Sequence, residues 1–182
     1  MALKATIFKA ELQIADMDRN YYQDHSLTLA RHPSETDERM MLRIFAFVRH
    51  AHELLQMCKG VSEADEPDLW LKDLTGDIKL WIDLGQPDEK RVRKSCGRAK
   101  QVVIYNYGSN AANIWWRQQG DKLATLNNLS VYNIAVTQSK ALAGLAQRTM
   151  RLQCTVQDGI TWLADESSAV QIEPETLLQA TE

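Results

Sequence analysis

The sequence has little of what usually gives a function away. Its three cysteines, Cys58, Cys96 and Cys154, are odd in number and widely spaced without a C-x-x-C pair, which argues against a disulfide framework or a zinc site. No G-x-G-x-x-G, G-x-x-x-x-G-K or G-x-S-x-G occurs, so nucleotide-binding and serine-hydrolase readings lose their usual support. No apolar run approaches the length of a membrane span, and MALKATIF is too short for a signal peptide. A cytoplasmic protein with no membrane partner is therefore expected. His50 and His52 stand two apart on an expected helix; they point in different directions, unlike an H-E-x-x-H ligand pair, and are expected to be solvated. The formal net charge is only −3, so any affinity for nucleic acid must come from a local patch.

What is present is a globular composition. Over 182 residues, 45% are hydrophobic and 25% charged, enough for one domain, 1–182, with a sizeable core. Residues 4–15 and 20–30 carry strand-like apolar positions around ADMDRN and predict an opening β-hairpin. HPSETDERMMLRIFAFVRHAHELLQMCKG predicts the strongest helix, with a capping-box-like start at Ser34 and Asp37. Its apolar stripe runs through Met41, Phe45, Val48, His52 and Leu55 to a stop at Gly60. A helix follows from Pro87-Asp88-Glu89, then a buried strand in KQVVIYNYG, a helix over 109–119, and a strand in LSVYNIAV. A short helix near 139–147, a hairpin turning at Asp158-Gly159 and a strand near 169–172 complete the chain. The order helix, two strands, helix, strand makes a mixed α/β core.

The stretch EPDLWLKDLTGDIKLWIDLGQPD holds the most informative pattern. Its alternation predicts strands over 68–74 and 77–84 about a turn at Thr75-Gly76. That register pairs Leu74 with Asp77, Lys72 with Lys79, Trp70 with Trp81, and Asp68 with Asp83. Opposed residues have Cβ atoms about 5 Å apart, and like charges so placed are destabilising. The two lysines lie about 13 Å away along the strands. Either the carboxylates sit solvated at a fraying hairpin end, or something positive stands between them. Glu38 opens the inward stripe of the first helix, where it could join them or serve the helix dipole. Three such oxygen ligands, Glu38, Asp68 and Asp83, suit a hard cation, Mg²⁺ or Mn²⁺, and the natural reaction at such a site is phosphodiester hydrolysis.

Pro67-Asp68, a spacer, Asp83-Leu84-Gly85-Gln86 and a preceding helix with Glu38 resemble the PD-(D/E)XK nuclease superfamily. The whole chain, WLKDLTGDIKLWIDLGQPDE and the basic helix after it included, resembles the YaeQ family of bacterial proteins, which is assigned to that nuclease-like fold. The resemblance implies an α/β (α+β) fold, with a restriction-endonuclease-like mixed sheet flanked by helices and an N-terminal β-hairpin. It implies metal-binding acids at Asp68 and Asp83, with Glu38 the helix acid. The lysine of the pattern falls on Gly85. Gln86 next to it could orient a water, and Lys90, Arg91 or Lys94 could supply the charge. The pattern has three strands after its first helix where two are counted here, and the N-terminal hairpin is a candidate for the missing partner.

The run Lys90, Arg91, Arg93, Lys94, Arg98, Lys100 is the densest cluster of one sign. It is either a solvated helix face or a phosphate-contacting surface, Arg91 and Lys94 included, for DNA or RNA. Two functions follow. The first is a Mg²⁺-dependent phosphodiesterase acting on nucleic acid through Asp68, Asp83, Gln86 and Lys90. The alternative is a catalytically inactive nuclease-fold module that binds nucleic acid or protein.

Overall fold

A computed structural model describes residues 4–59 and 65–181. The opening hairpin forms as expected from β1 (Thr6–Asp16) and β2 (Tyr21–Arg31). Phe8, Ala10, Leu12 and Ile14 point inward at every second position of β1. The other edge of β1 pairs in parallel with β8 (Thr149–Gln157). β9 (Ile160–Ala164) and β10 (Ala169–Ile172) complete a five-stranded sheet of order β10-β9-β8-β1-β2.

Helix α1 (Asp37–Arg49) lies between this sheet and a second one. Every residue from Met40 to Val48 is buried, and all but Arg43 are apolar, as a helix enclosed on all sides requires. Its N-cap is Thr36, whose side chain accepts from Arg39 N, and not Ser34 or Asp37. The helix also stops at Arg49, about three turns before the expected end, and Gly60 lies outside the described residues. His50 is the C-cap, its backbone N–H donating to Ala46 O and Phe47 O, and its Nε2 is hydrogen-bonded with the Tyr105 hydroxyl, 2.6 Å away. His50 is thus a packed group and not a solvated helix histidine, and His52 caps a turn through Nδ1 to Leu54 N.

Leu55–Met57 then forms a third strand, β3, which the helical spacing of Leu55 had disguised. It pairs antiparallel with β4 (Leu69–Lys72), which pairs with β5 (Ile78–Leu84). The N-terminal hairpin therefore does not supply the missing partner; it belongs to the other sheet. Helix α2 (Glu89–Arg98) crosses over to β6 (Ala99–Asn106), and α3 (Asn110–Leu123) to β7 (Leu129–Asn133); β5, β6 and β7 run in parallel. Helix α4 (Val136–Ala143) packs on α1, and a last strand not expected from the sequence, β11 (Glu175–Leu178), closes the order β11-β7-β6-β5-β4-β3. The fold is mixed α+β, with two mixed sheets and four helices among the described residues. One face of the second sheet meets α1. The other packs Trp81, Val102, Ile104 and Val131 against Val92, Trp115 and Leu123 of α2 and α3. None of the described helices is long and apolar enough to cross a membrane.

Candidate functional site

The β4–β5 hairpin places the two aspartates. Trp70 pairs with Trp81 and Leu69 with Ile82; Asp68 N donates to Ile82 O at 3.0 Å. Continuing that register sets Asp68 opposite Asp83, and the Trp pair meets edge to face at 6.0 Å. Toward the turn the register shifts, pairing Lys72 with Ile78 and not Lys79. The cause is Asp73, whose Oδ1 accepts from Thr75 N, Thr75 Oγ1 and Asp77 N, tightening the turn from within.

Both aspartates are buried, at 4% and 3% exposure, and arginine stands between them and solvent. Arg91, in the first turn of α2, donates Nε to Asp83 Oδ2 and an Nη to Oδ1, each at 3.0 Å. It also donates to Glu66 O at 2.8 Å and lies over the Trp81 ring, 5.9 Å from its centroid. Arg39 donates to Asp68 Oδ1 at 2.7 Å, while Leu84 N donates to Oδ2 at 2.8 Å. Arg39 also holds Glu35, which in turn holds Arg43 at 2.5 Å. Glu35, Arg39 and Arg43 recur every four residues and share one helix-start face. Burial pushes the Asp68 carboxyl above the ordinary carboxylate range, against the pull of Arg39 and the Leu84 amide.

The other residues singled out in the sequence lie around this pair in different roles. Glu38 accepts from Ser139 Oγ of α4 at 2.9 Å. Gln86 donates to Asn106 Oδ1 and Tyr107 O, both at 2.5 Å, tying β5 to the end of β6. Gly85 has φ 92, a left-handed conformation in which lysine is strained. Lys90 is exposed and has no partner among the described residues, whereas Lys94 meets Asp65 at 3.0 Å on the surface. Tyr107 joins the group: burial raises its hydroxyl, as do the charges of Glu38, Asp68 and Glu35, while Arg39 lowers it. Sequence reasoning missed Glu35, Arg39, Arg43, Tyr107 and Ser139; of these, only the four-residue spacing of the first three left a visible signal.

A hard cation requires carboxylate oxygens that face a common point. Here the oxygens of Asp68 and Asp83 face guanidinium and amide N–H groups, and Glu38 is turned to Ser139. Among the described residues no three acid, thiol or imidazole groups converge. As arranged, the donor set does not fit a divalent cation, which would have to displace Arg39 and Arg91.

The profile of a family described as YaeQ protein matches residues 1–174. YaeQ of Escherichia coli K12 is 49% identical over 172 residues, covering 94% of this chain and 95% of that one. YaeQ of Salmonella typhi is 50% identical over 173 residues, with 95% and 96% covered. The crystal structure of YaeQ from Xanthomonas axonopodis pv. citri superposes with a TM-score of 0.93 at 46% identity, over 98% of this chain and 99% of that one. That from Pseudomonas syringae gives 0.92 at 30%, over 96% and 97%.

Proposed function

Because the chain belongs to the YaeQ family, we propose that it uses a PD-(D/E)XK-like core to hold the phosphate backbone of a nucleic acid, DNA or RNA, without cleaving it. The order α1, β3, β4, β5, α2, β6 supports the core assignment, since it is a helix, a three-strand meander, a crossover helix and a parallel strand. The single observation that carries the non-catalytic reading is arginine pairing of both acids. Gly85 adds to it, because its left-handed backbone disfavours the lysine that hydrolysis would use.

Phosphate contact falls to the exposed side of α2. Lys90 and Lys94 are one helical turn apart, and the Lys94–Asp65 pair, exposed on both sides, is weak enough to exchange for phosphate. Arg91 stays on Asp83 and orients the helix. Such contacts position a strand without reading its bases. A fluorescent oligonucleotide should bind with an affinity that falls steeply as salt rises. Replacing Lys90 and Lys94 by glutamine should flatten the logarithmic salt slope by about 1.4–1.8 units. Negligible binding near physiological salt, or a slope that the double substitution leaves unchanged, would defeat the reading.

A second reading, a Mg²⁺- or Mn²⁺-dependent phosphodiesterase, is favoured by the opposition of Asp68 and Asp83. In it Arg39, Arg91 and Ser139 would have to release Asp68, Asp83 and Glu38 before these could hold an ion. Metal-dependent cleavage that disappears in Asp83→Asn would select it over the first.

A further inference from the structure

One face of the first sheet packs on α1, and the described residues leave the other open. In β1 the buried Ala10, Leu12 and Ile14 alternate with Glu11, Gln13 and Ala15; in β8 the buried Leu152 and Cys154 alternate with Arg151, Gln153 and Thr155. The second member of each set therefore lines the open face. Register then fixes rows across the strands. One row runs Trp162, Thr155, Ala15, Tyr22 from β9 to β2, and the next runs Ala164, Gln153, Gln13, Asp24. In the first, an aromatic ring stands at each end and two small side chains lie between, so the face is hollow along its middle. Tyr22 is 57% exposed. A sheet of this kind commonly gives one face to water, yet aromatic ends about a small centre suit a second surface better than solvent.

The charges on this face complement one another under a two-fold rotation. Glu11 and Arg151 are neighbours in the parallel register of β1 and β8. Glu11 accepts from Ser26 Oγ at 2.6 Å, and Arg151 makes no hydrogen bond or ion pair among the described residues. A two-fold axis parallel to the strands, above the line between β1 and β8, sets β1 of one copy over β8 of another and β2 over β9. Glu11 then meets Arg151 of the second copy, and Arg151 meets its Glu11. Gln13 meets Gln153, Ala15 meets Thr155 and Tyr22 meets Trp162, each pairing made twice, as an isologous contact requires. Asp24 falls over Ala164 and Lys9 over Thr149, so these rows oppose no like charges. A two-fold across the strands at the same row would instead set Glu11 on Glu11. Face-to-face sheets keep their strands within about 30° of each other, which the parallel axis satisfies. Four strands about 4.8 Å apart and about eight residues long, at about 3.3 Å each, cover about 500 Å² per copy. The total, about 1,000 Å², is near the least that a specific interface needs. A reversible dimer is expected.

We propose that the open face of the first sheet binds a second copy of this chain about that two-fold, with the Glu11–Arg151 pairs setting the register and the Tyr22–Trp162 pairs closing the two sides. Asp68, Asp83 and α2 belong to the other sheet, so the dimer stands or falls apart from the phosphate-backbone reading. Sedimentation velocity of the full chain should show its average mass rising from one chain toward two across the micromolar range, from about 1 to about 100 µM. Glu11→Arg alone and Arg151→Glu alone each oppose like charges at both contacts and should weaken self-association at least about tenfold. An equimolar mixture of the two should associate, because the mixed pair again sets glutamate against arginine at both contacts. The double variant should likewise pair with itself. Urea midpoints equal to wild type establish that the variants are folded. If a charge variant does not fold, Ala15→Arg, which fills the small centre, should hold the chain monomeric. A wild type monomeric throughout the range, self-association unchanged in the single variants, or a mixture no more associated than its components would overturn the proposal.

Discussion

Replacing Asp83 by asparagine separates two accounts of the acid pair. Were the opposed carboxylates repelling each other in the absence of metal, neutralising one would leave stability unchanged or raise it by about 0.2–1 kcal/mol. The arginine pairing gives the opposite sign. Asp83 accepts two charge-assisted bonds from Arg91, each contributing about 1.5–3 kcal/mol. Asparagine keeps one acceptor, and the Arg91 side chain, 29% exposed, can regain water on its outer edge. Discounting for that access leaves a loss of about 2 kcal/mol. For a chain of this size the melting temperature should fall by about 4–8 °C. Urea unfolding in EDTA is the assay, run with Asp83→Asn, Arg91→Gln and the double variant, and a coupling energy of about 1–2 kcal/mol is expected. Asp83 is the better probe of the two, because Asp68 also holds Leu84 N and shares Arg39 with Glu35. An Asp83→Asn protein as stable as wild type, or a coupling near zero, would refute the pairing as the source of neutralisation.

The remaining predictions concern the histidine of the core and the glycine beside the acids. His50 has its folded value lowered to about 3, against about 6.5 in an unfolded chain. Its neutral form therefore stabilises fully above pH 6.5, and that contribution is lost as pH falls toward 3, with a slope of up to about 1.4 kcal/mol per unit. His50→Gln should flatten the measured dependence of unfolding free energy between pH 6 and 4, and an unchanged slope would assign the proton elsewhere. Gly85→Lys should lose about 1–2 kcal/mol through its left-handed backbone and should not confer Mg²⁺-dependent cleavage; a variant as stable as wild type, or one that cleaves, would contradict the constraint placed on φ at 85.

The hairpin that carries the acids was legible because strand alternation fixes register, and one pair, Trp70 with Trp81, fixes the rest toward Asp68 and Asp83. The neutralising groups were harder to see. Arg91 stands eight residues beyond Asp83 on a different element, and only the packing of α2 against the sheet brings it back. Glu38 drew attention through its place on the apolar stripe, yet the buried acid of that helix start is Glu35, one turn earlier and outside the helix proper. Helical spacing also failed at residue 55, where an apolar side chain that fits the stripe of α1 enters a three-residue edge strand instead. So short a strand carries no alternation of its own, and its existence depends on the partner Leu71.

The parallel pairing of β1 with β8 joins residues Lys9–Asp16 to Thr149–Val156, and this separation governs the order of assembly. During synthesis the β1–β2 hairpin emerges early, with one long edge unpaired until β8 is made. At about 5–20 residues per second, that interval lasts on the order of ten seconds, during which the edge is a template for pairing with other chains. Closing so long a loop also places the last step of folding among slow, non-local events. A nascent chain halted before Thr149 would carry this open edge permanently, so chaperone dependence and aggregation should depend on the length synthesised, with relief only once β8 has left the ribosome.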